Sequence, residues 1–89
     1  GIIICGTGIG ISISANKVPG IRCALCSDCF SAAATKEHNN ANIIALPGRF
    51  VSVSQAIVIL RAWIAAEFAG GRHEERVQMI ENIEKENMK

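Results

Sequence analysis

Cys5 is well placed to do chemistry because of the residues on its C-terminal side. The run Cys5-Gly6-Thr7-Gly8-Ile9-Gly10 puts a thiol at the end of an apolar segment, with three glycines after it. Glycines at alternate positions let the backbone turn sharply and approach a ligand. A helix leaving such a loop points its free N–H groups into the same space, which favours an anion or a developing oxyanion. A thiol aimed at a helix N-terminus ionises more easily than a free one and can act as a nucleophile or a general base. The plain alternative is a buried apolar cysteine. The loop departs from the dinucleotide-binding pattern G-x-G-x-x-G. Its third glycine falls one position early, at Gly10, and the acidic residue due about 20 positions on is at best Asp28, at the wrong strand end.

The other three cysteines read C-x-x-C-x-x-C at Cys23, Cys26 and Cys29, a spacing similar to part of an iron–sulfur or zinc pattern. Ile21 to Cys26 reads as a buried strand, whose side chains alternate faces, so residues three apart point to opposite sides. No fourth Cys or His follows at ferredoxin spacing. Buried structural thiols are expected rather than a metal site or a disulfide framework. His38 sits where a helix ends, and an imidazole titrates near neutrality. Arg72 and Arg76 are four apart and share a helix face. Two guanidinium forks suit a phosphate, although two solvated arginines are the ordinary case.

These residues need elements to hold them. Ile2 to Cys5 is a short β-branched run that reads as a buried strand, followed by a tight loop over Gly6–Gly10 and a short helix over Ile11–Lys17. Pro19-Gly20 breaks the chain before a second strand, Arg22 to Cys26. Ser27 or Asp28 caps a helix reaching His38, and Asn39, Asn40 and Asn42 end it. Ile43 to Leu46 is a third strand, closed by Pro47-Gly48. Ser52-Val53-Ser54-Gln55 has the form of a capping box. The helix from Gln55 to Phe68 is apolar on nearly every side, which predicts burial on more than one face. Gly70-Gly71 stops it, and a last helix runs from His73 to Asn87.

Short apolar strands separated by helices indicate a parallel α/β sheet. Ligands in such sheets bind beyond the carboxyl ends of the strands, where the loops Cys5–Gly10, Cys26–Asp28 and Pro47–Arg49 lie.

The 89 residues make one small domain. Nine Lys and Arg against eight Asp and Glu give +1, too little for a chain that coats nucleic acid or an anionic membrane. With 49% apolar and 19% charged residues the chain is not disordered. Its few aromatics, Phe30, Phe50, Trp63 and Phe68, predict an aliphatic core. No apolar run reaches the roughly 18 residues of a membrane span. No basic stretch precedes the opening apolar run, so a signal peptide is not expected. The chain opens inside a strand and without Met, so a preceding N-terminal part is expected.

Taken in order, Cys5-Gly6-Thr7-Gly8-Ile9-Gly10-Ile11-Ser12, Asn16-Lys17, Gly20-Ile21-Arg22, Glu37-His38-Asn39-Asn40-Ala41-Asn42 and Gly70-Gly71-Arg72-His73-Glu74-Glu75-Arg76 resemble ribose-5-phosphate isomerase type B. Galactose-6-phosphate isomerase subunits belong to the same family. The resemblance runs the whole length of the chain. It implies a three-layer, Rossmann-like α/β fold with a parallel sheet in the order 2-1-3-4-5. Residues 1–89 would form a single domain supplying the last three strands and a C-terminal interface helix, and lacking two N-terminal βα units. The family's first strand, which ends in an Asp-His pair, would lie beside Ile2–Cys5. Without it, Ile2–Cys5 would be an unpaired apolar edge.

The resemblance further implies interconversion of ribose 5-phosphate and ribulose 5-phosphate through an enediolate. Cys5 would be the base, Thr7 a proton relay or ring-oxygen partner, and His38 the ring-opening acid/base. The N–H groups of Gly6, Gly8, Ile9 and Gly10, with the Asn39 amide, would form an anion hole. Arg72 and Arg76 would hold the phosphate of a partner subunit, with Arg49 a further candidate. That puts the site at the interface of a homodimer or dimer of dimers. Cys5 favours the pentose reading over galactose-type members, which tend to lack it; a six-carbon phosphate such as allose 6-phosphate is the alternative, and an inactive fragment keeping the dimer surface another. A nucleotide-binding module is what the fold alone would suggest. Cys26-Ser27-Asp28-Cys29 fills a variable loop near the site. No metal or organic cofactor is expected, because the chemistry is proton transfer, and the enzyme type is cytoplasmic. His73 reads as a surface or interface residue, and Asn16 and Lys17 match the family without a derivable role.

Overall fold

The structure is a computed structural model that describes residues 1–87. Its elements are β1 (Ile2–Cys5), α1 (Ile9–Ala15), β2 (Cys23–Leu25), α2 (Cys29–Asn39), β3 (Ile43–Pro47), α3 (Val53–Ala65) and α4 (Arg72–Asn87). The three strands form one parallel sheet, with Ile2 opposite Ile44, Cys5 opposite Pro47, and Cys23 opposite Ile43.

The caps are local and readable. Asp28 Oδ1 accepts from the Ser31 N–H at 2.7 Å and starts α2. Ser52 Oγ accepts from Gln55 N, and the Gln55 side chain accepts from Ser52 N, so the capping box closes α3 as expected. Asn40 at φ 50° ends α2 in the left-handed conformation that Asn tolerates. Helix bounds differ from expectation most at α1 and α3, where both ends lie two or three residues earlier than expected. α1 starts at Ile9 rather than Ile11, because Gly8 at φ 76° makes the whole turn and leaves Gly10 inside the helix. α3 stops at Ala65, where Ala66 goes extended.

The strand order corrects the expectation. The order implied by the resemblance puts β2 in the middle, whereas the sheet runs β1-β3-β2. The central place goes to the strand that can be buried on both faces. In β3, Ile44, Ala45 and Leu46 are each at most 1% exposed. β2 has only three residues, follows Arg22, and is half-exposed. The first crossover therefore skips one strand position and the second returns. Right-handed crossovers in opposite directions place α1 on one face and α2 on the other. α3 packs beside α2, so the three-layer architecture stands.

The core lies on the α2–α3 face, where Ile44 and Leu46 meet Cys26, Ala32, Ile59 and Trp63. Val77 of α4 is also buried. The free edge of β2 is closed by a side chain. Asn16 Nδ2 donates to Cys23 O at 2.9 Å, and Cys23 N donates to Asn16 Oδ1 at 2.8 Å. The amide thus imitates a neighbouring strand and blunts the edge. On the inner side, Asn42, just ahead of β3, fastens the approach to β2, accepting from Arg22 N and donating to Gly20 O, each at 2.8 Å.

β1 is the other edge, with Ile2 and Ile4 exposed on the α2–α3 face. α3 buries only one face within this chain. Val53, Ile57 and Ile64 on its other side are exposed. Among the described residues no helix is long and apolar enough to cross a membrane.

Candidate active site

The strand order decides where a ligand can sit. β1 and β3 are neighbours, and their following helices, α1 and α3, leave to opposite faces. That divergence opens a crevice at their carboxyl ends, the usual ligand position in such sheets. The glycine loop and the Pro47-Gly48-Arg49 turn are its two lips. They are stitched together by Gly48 N donating to Cys5 O at 2.8 Å and Arg49 N donating to Gly6 O at 3.0 Å.

Cys5 ends β1 inside this crevice, half-buried. Gly8 N donates to its Sγ at 3.2 Å. Backbone N–H groups of Ile11, Gly8 and Thr7, and the Arg49 guanidinium, together pull the thiol below its ordinary pKa against an opposing desolvation penalty. Ile11 has the largest effect, so the first turn of α1 favours the thiolate form of Cys5. Cys23 and Cys26 move the other way, because burial raises their thiols. All four cysteines are free, and among the described residues no three His, Cys, Asp or Glu side chains are grouped to hold a metal.

The glycines of the loop do different jobs. A Cβ on Gly8 would press on the Leu25 side chain and lie 3.2 Å from the Leu46 carbonyl carbon, at a φ that side chains disfavour. A Cβ on Gly6 would lie 3.1 Å from Arg49 Nε, so the missing side chain leaves room for the guanidinium stem. Among the described residues nothing lies within 4 Å of a Cβ at Gly10, which is helical. Thr7 Oγ1 accepts from Ile9 N at 3.2 Å. Thr7, Ile9, Leu25, Ser27, Pro47 and Phe50 line an open recess of about 380 Å³ next to the loop.

The remaining site residues lie elsewhere. His38 and Asn39 end α2, which delivers the chain to the start of β3. Arg72 and Arg76 join them, because Gly70 and Gly71, both at positive φ, fold the chain so that α4 begins over the end of α2. Ala69 N donates to Glu37 O at 3.0 Å and fixes the approach. His38, Asn39, Arg72, His73 and Arg76 line an open recess of about 400 Å³. The rings of His38 and His73 stack with centroids 4.4 Å apart and planes 16° from parallel. Desolvation, then the positive neighbours His38, Arg72 and Arg76, push His73 below the usual imidazole range.

The two groups are at opposite ends of the sheet. β1 and β3 are parallel and in register, so the start of β3 and the Cys5–Pro47 pair are separated by the length of β3. At roughly 3.3 Å per residue that is on the order of 13 Å. Within one chain, then, Cys5, Thr7, the loop amides and Arg49 come together, and His38, Asn39, Arg72 and Arg76 come together, but the two groups do not meet. The anion hole expected to combine the loop with Asn39 is not assembled within a single chain. The closeness of Arg49 to the thiol and the pairing of His73 with His38 went beyond what spacing could show, since both depend on loops brought together by the sheet.

The chain is similar to proteins of known name. The sequence profile of the family described as Ribose/Galactose Isomerase matches residues 1–80. An 84-residue stretch is 49% identical to Escherichia coli ribose-5-phosphate isomerase B, covering 94% of this chain and 56% of that protein. The fold superposes on the Clostridium thermocellum ribose-5-phosphate isomerase B structure with a TM-score of 0.95 and 56% identity, over 97% of this chain and 58% of that one. The Mycoplasma genitalium enzyme, solved with bound ribulose-5-phosphate, gives 0.95 and 45% identity, over 98% and 57%. The chain thus spans somewhat less than three fifths of the relatives it matches.

Proposed function

The chain belongs to the ribose and galactose isomerase family, and from that premise we propose that the protein carrying it interconverts ribose 5-phosphate and ribulose 5-phosphate in the cytoplasm. The observation that carries this reading is the half-buried Cys5 thiol facing the amides of its own glycine loop and the first turn of α1. An aldose–ketose isomerase needs a base close to two adjacent carbons, and donors for the oxygen that becomes negative between them.

In this reading His38 opens the furanose by moving a proton from the O1 hydroxyl to the ring oxygen, leaving an aldehyde at C1. The Cys5 thiolate then removes the proton on C2. The electron pair of that C–H bond becomes the C1=C2 bond, and the carbonyl pair moves onto O1. The N–H groups of Gly6, Gly8, Ile9 and Gly10, with the Asn39 amide, stabilise that charge. Thr7 relays a proton from O2 to O1, and Cys5 returns the proton to C1, giving the ketose. Arg72 and Arg76 hold the phosphate, and Arg49 adds charge at the thiol. Every proton removed is returned, so the carbon skeleton is isomerised without net oxidation.

Because the two residue groups lie at opposite ends of the sheet, one active site takes its thiol from one subunit and His38, Asn39, Arg72 and Arg76 from another. The exposed apolar face of α3 is the surface for such a homodimer or dimer of dimers. Mixing two inactive variants of the full-length protein tests both ideas. Cys5→Ala and Arg76→Ala subunits, refolded together, should recover about a quarter of wild-type turnover on ribose 5-phosphate, because half of randomly paired dimers contain one intact site of two. No recovery would place the site within one subunit. A wild-type protein inactive on ribose 5-phosphate but active on allose 6-phosphate would move the assignment to six-carbon substrates.

A further inference from the structure

We propose that His73 is a positioning residue for ring opening: its imidazole, stacked face to face on His38 at 4.4 Å and 16°, fixes the plane in which His38 meets the sugar. This rests on the isomerase reading above and assigns a role to a residue that this reading does not use. His38 is in the last turn of α2, two residues before the left-handed Asn40 at which the helix ends. A side chain at a helix end is held less firmly than one in the interior, and nothing among the described hydrogen bonds holds the His38 ring. The stack supplies what the helix does not. Misplacing an acid/base by an ångström can cost about a hundredfold in rate, so a packed ring there has kinetic value.

The fold goes to some length to make the stack. Gly70 and Gly71 both take positive φ, at 69° and 57°, and turn the chain back over α2. His73 N donates to Gly70 O at 3.1 Å and Glu74 N to Gly71 O at 3.1 Å, so the turn is closed before α4 proceeds. Ala69 N, donating to Glu37 O at 3.0 Å, ties this turn to the residue next to His38. His73 therefore arrives on a constrained segment rather than a loose one.

Charge favours the same role. The charged groups around His73 are His38 from α2, and Arg72 and Arg76 from its own helix. Glu74 and Glu75 line a different recess with Gly71 and Gln78. With these positive neighbours and partial desolvation, His73 stays neutral more readily than a free imidazole. A neutral ring stacks on His38 without adding a competing proton donor or a second charge beside it.

The test separates ring opening from carbon-bound proton transfer in the full-length protein. Ribulose 5-phosphate is an open chain, so exchange of its C1 hydrogen with solvent deuterium needs Cys5 and the loop but no ring opening. Turnover of cyclic ribose 5-phosphate needs both. His73→Ala should lower kcat on ribose 5-phosphate about tenfold or more, with C1 exchange within about threefold of wild type. His73→Phe, which keeps a flat ring to stack, should retain kcat within about fivefold. Equal loss of turnover and exchange in His73→Ala would reduce His73 to a structural residue and overturn the proposal. So would unchanged turnover in His73→Ala, or a His73→Phe protein as impaired as His73→Ala. A wild-type protein that exchanges no C1 hydrogen would instead overturn the isomerase reading beneath it.

Discussion

Two glycines two positions apart should respond to alanine with opposite signs. Gly8 is at φ 76°, and its absent Cβ would press on Leu25 and stand 3.2 Å from the Leu46 carbonyl carbon and 3.3 Å from its oxygen. Leu46 is in the central strand and 1% exposed, so it cannot yield without disturbing the sheet. An L-residue in the left-handed region costs about 1–2 kcal/mol. Overpacking a rigid core contact costs about 1–3 kcal/mol more. Gly8→Ala should therefore destabilise by about 3.5 kcal/mol, the middle of that sum. Gly10 lies inside α1 with open space around it. Gly10→Ala should stabilise by about 0.5–1 kcal/mol, because alanine has less backbone entropy to lose in a helix. Urea denaturation measures both, and at a slope of about 1–3 kcal/mol/M the two midpoints should differ by more than 1 M. Gly8→Asn separates the two contributions, since Asn tolerates the left-handed conformation but still collides. Equal midpoints for Gly8→Ala and Gly10→Ala would refute the claim that Gly8 alone makes the turn and the close approach.

The same geometry gives two further outcomes. Iodoacetamide should alkylate Cys5 with a lower pH midpoint than Cys23 or Cys26, because the amides of Ile11, Gly8 and Thr7 favour its thiolate while burial disfavours theirs. Arg49→Ala should move that midpoint upward, but only slightly, because the amides remain; peptide mapping of the alkylated sites across pH checks the sign. Asn16→Ala removes two hydrogen bonds from the free edge of β2 and should destabilise by about 1–3 kcal/mol. The Cys23 amide should then lose protection in hydrogen exchange, while the Ala24 amide on the inner side keeps more of its own.

The helix caps were legible because capping is a contact between residues three apart. Asp28 before Ser31 and Ser52 before Gln55 need no knowledge of the rest of the chain. β1 and β3 were legible because each is an isoleucine run ended by Gly6 or by Pro47-Gly48, and β2 because Pro19-Gly20 breaks the chain before a short apolar run. Their order was not, since it depends on which strand can be buried on both faces, a comparison among all three. The start of α1 differs from the expected one by two residues for a related reason. Three alternating glycines look alike in sequence, yet only Gly8 meets the core and turns left-handed. Asn16 was visible only as a match without a role and His73 only as a surface or interface residue, because their partners, the Cys23 backbone and the His38 ring, are reached through tertiary contacts.

By itself the sequence determined the parallel α/β class, the elements and the family. It also determined the pairing of a thiol with a glycine loop, because periodicity, caps and short motifs are set within a few residues. Only the tertiary structure decided that β3 lies between β1 and β2, which puts α1 and α3 on opposite faces and opens the crevice at Cys5. It alone decided that the imidazole–arginine group sits at the far end of that sheet. The physical reason is that burial is a competition among strands and helices for a single core. The direction each crossover takes, and hence the end of the sheet each functional side chain reaches, depends on the outcome.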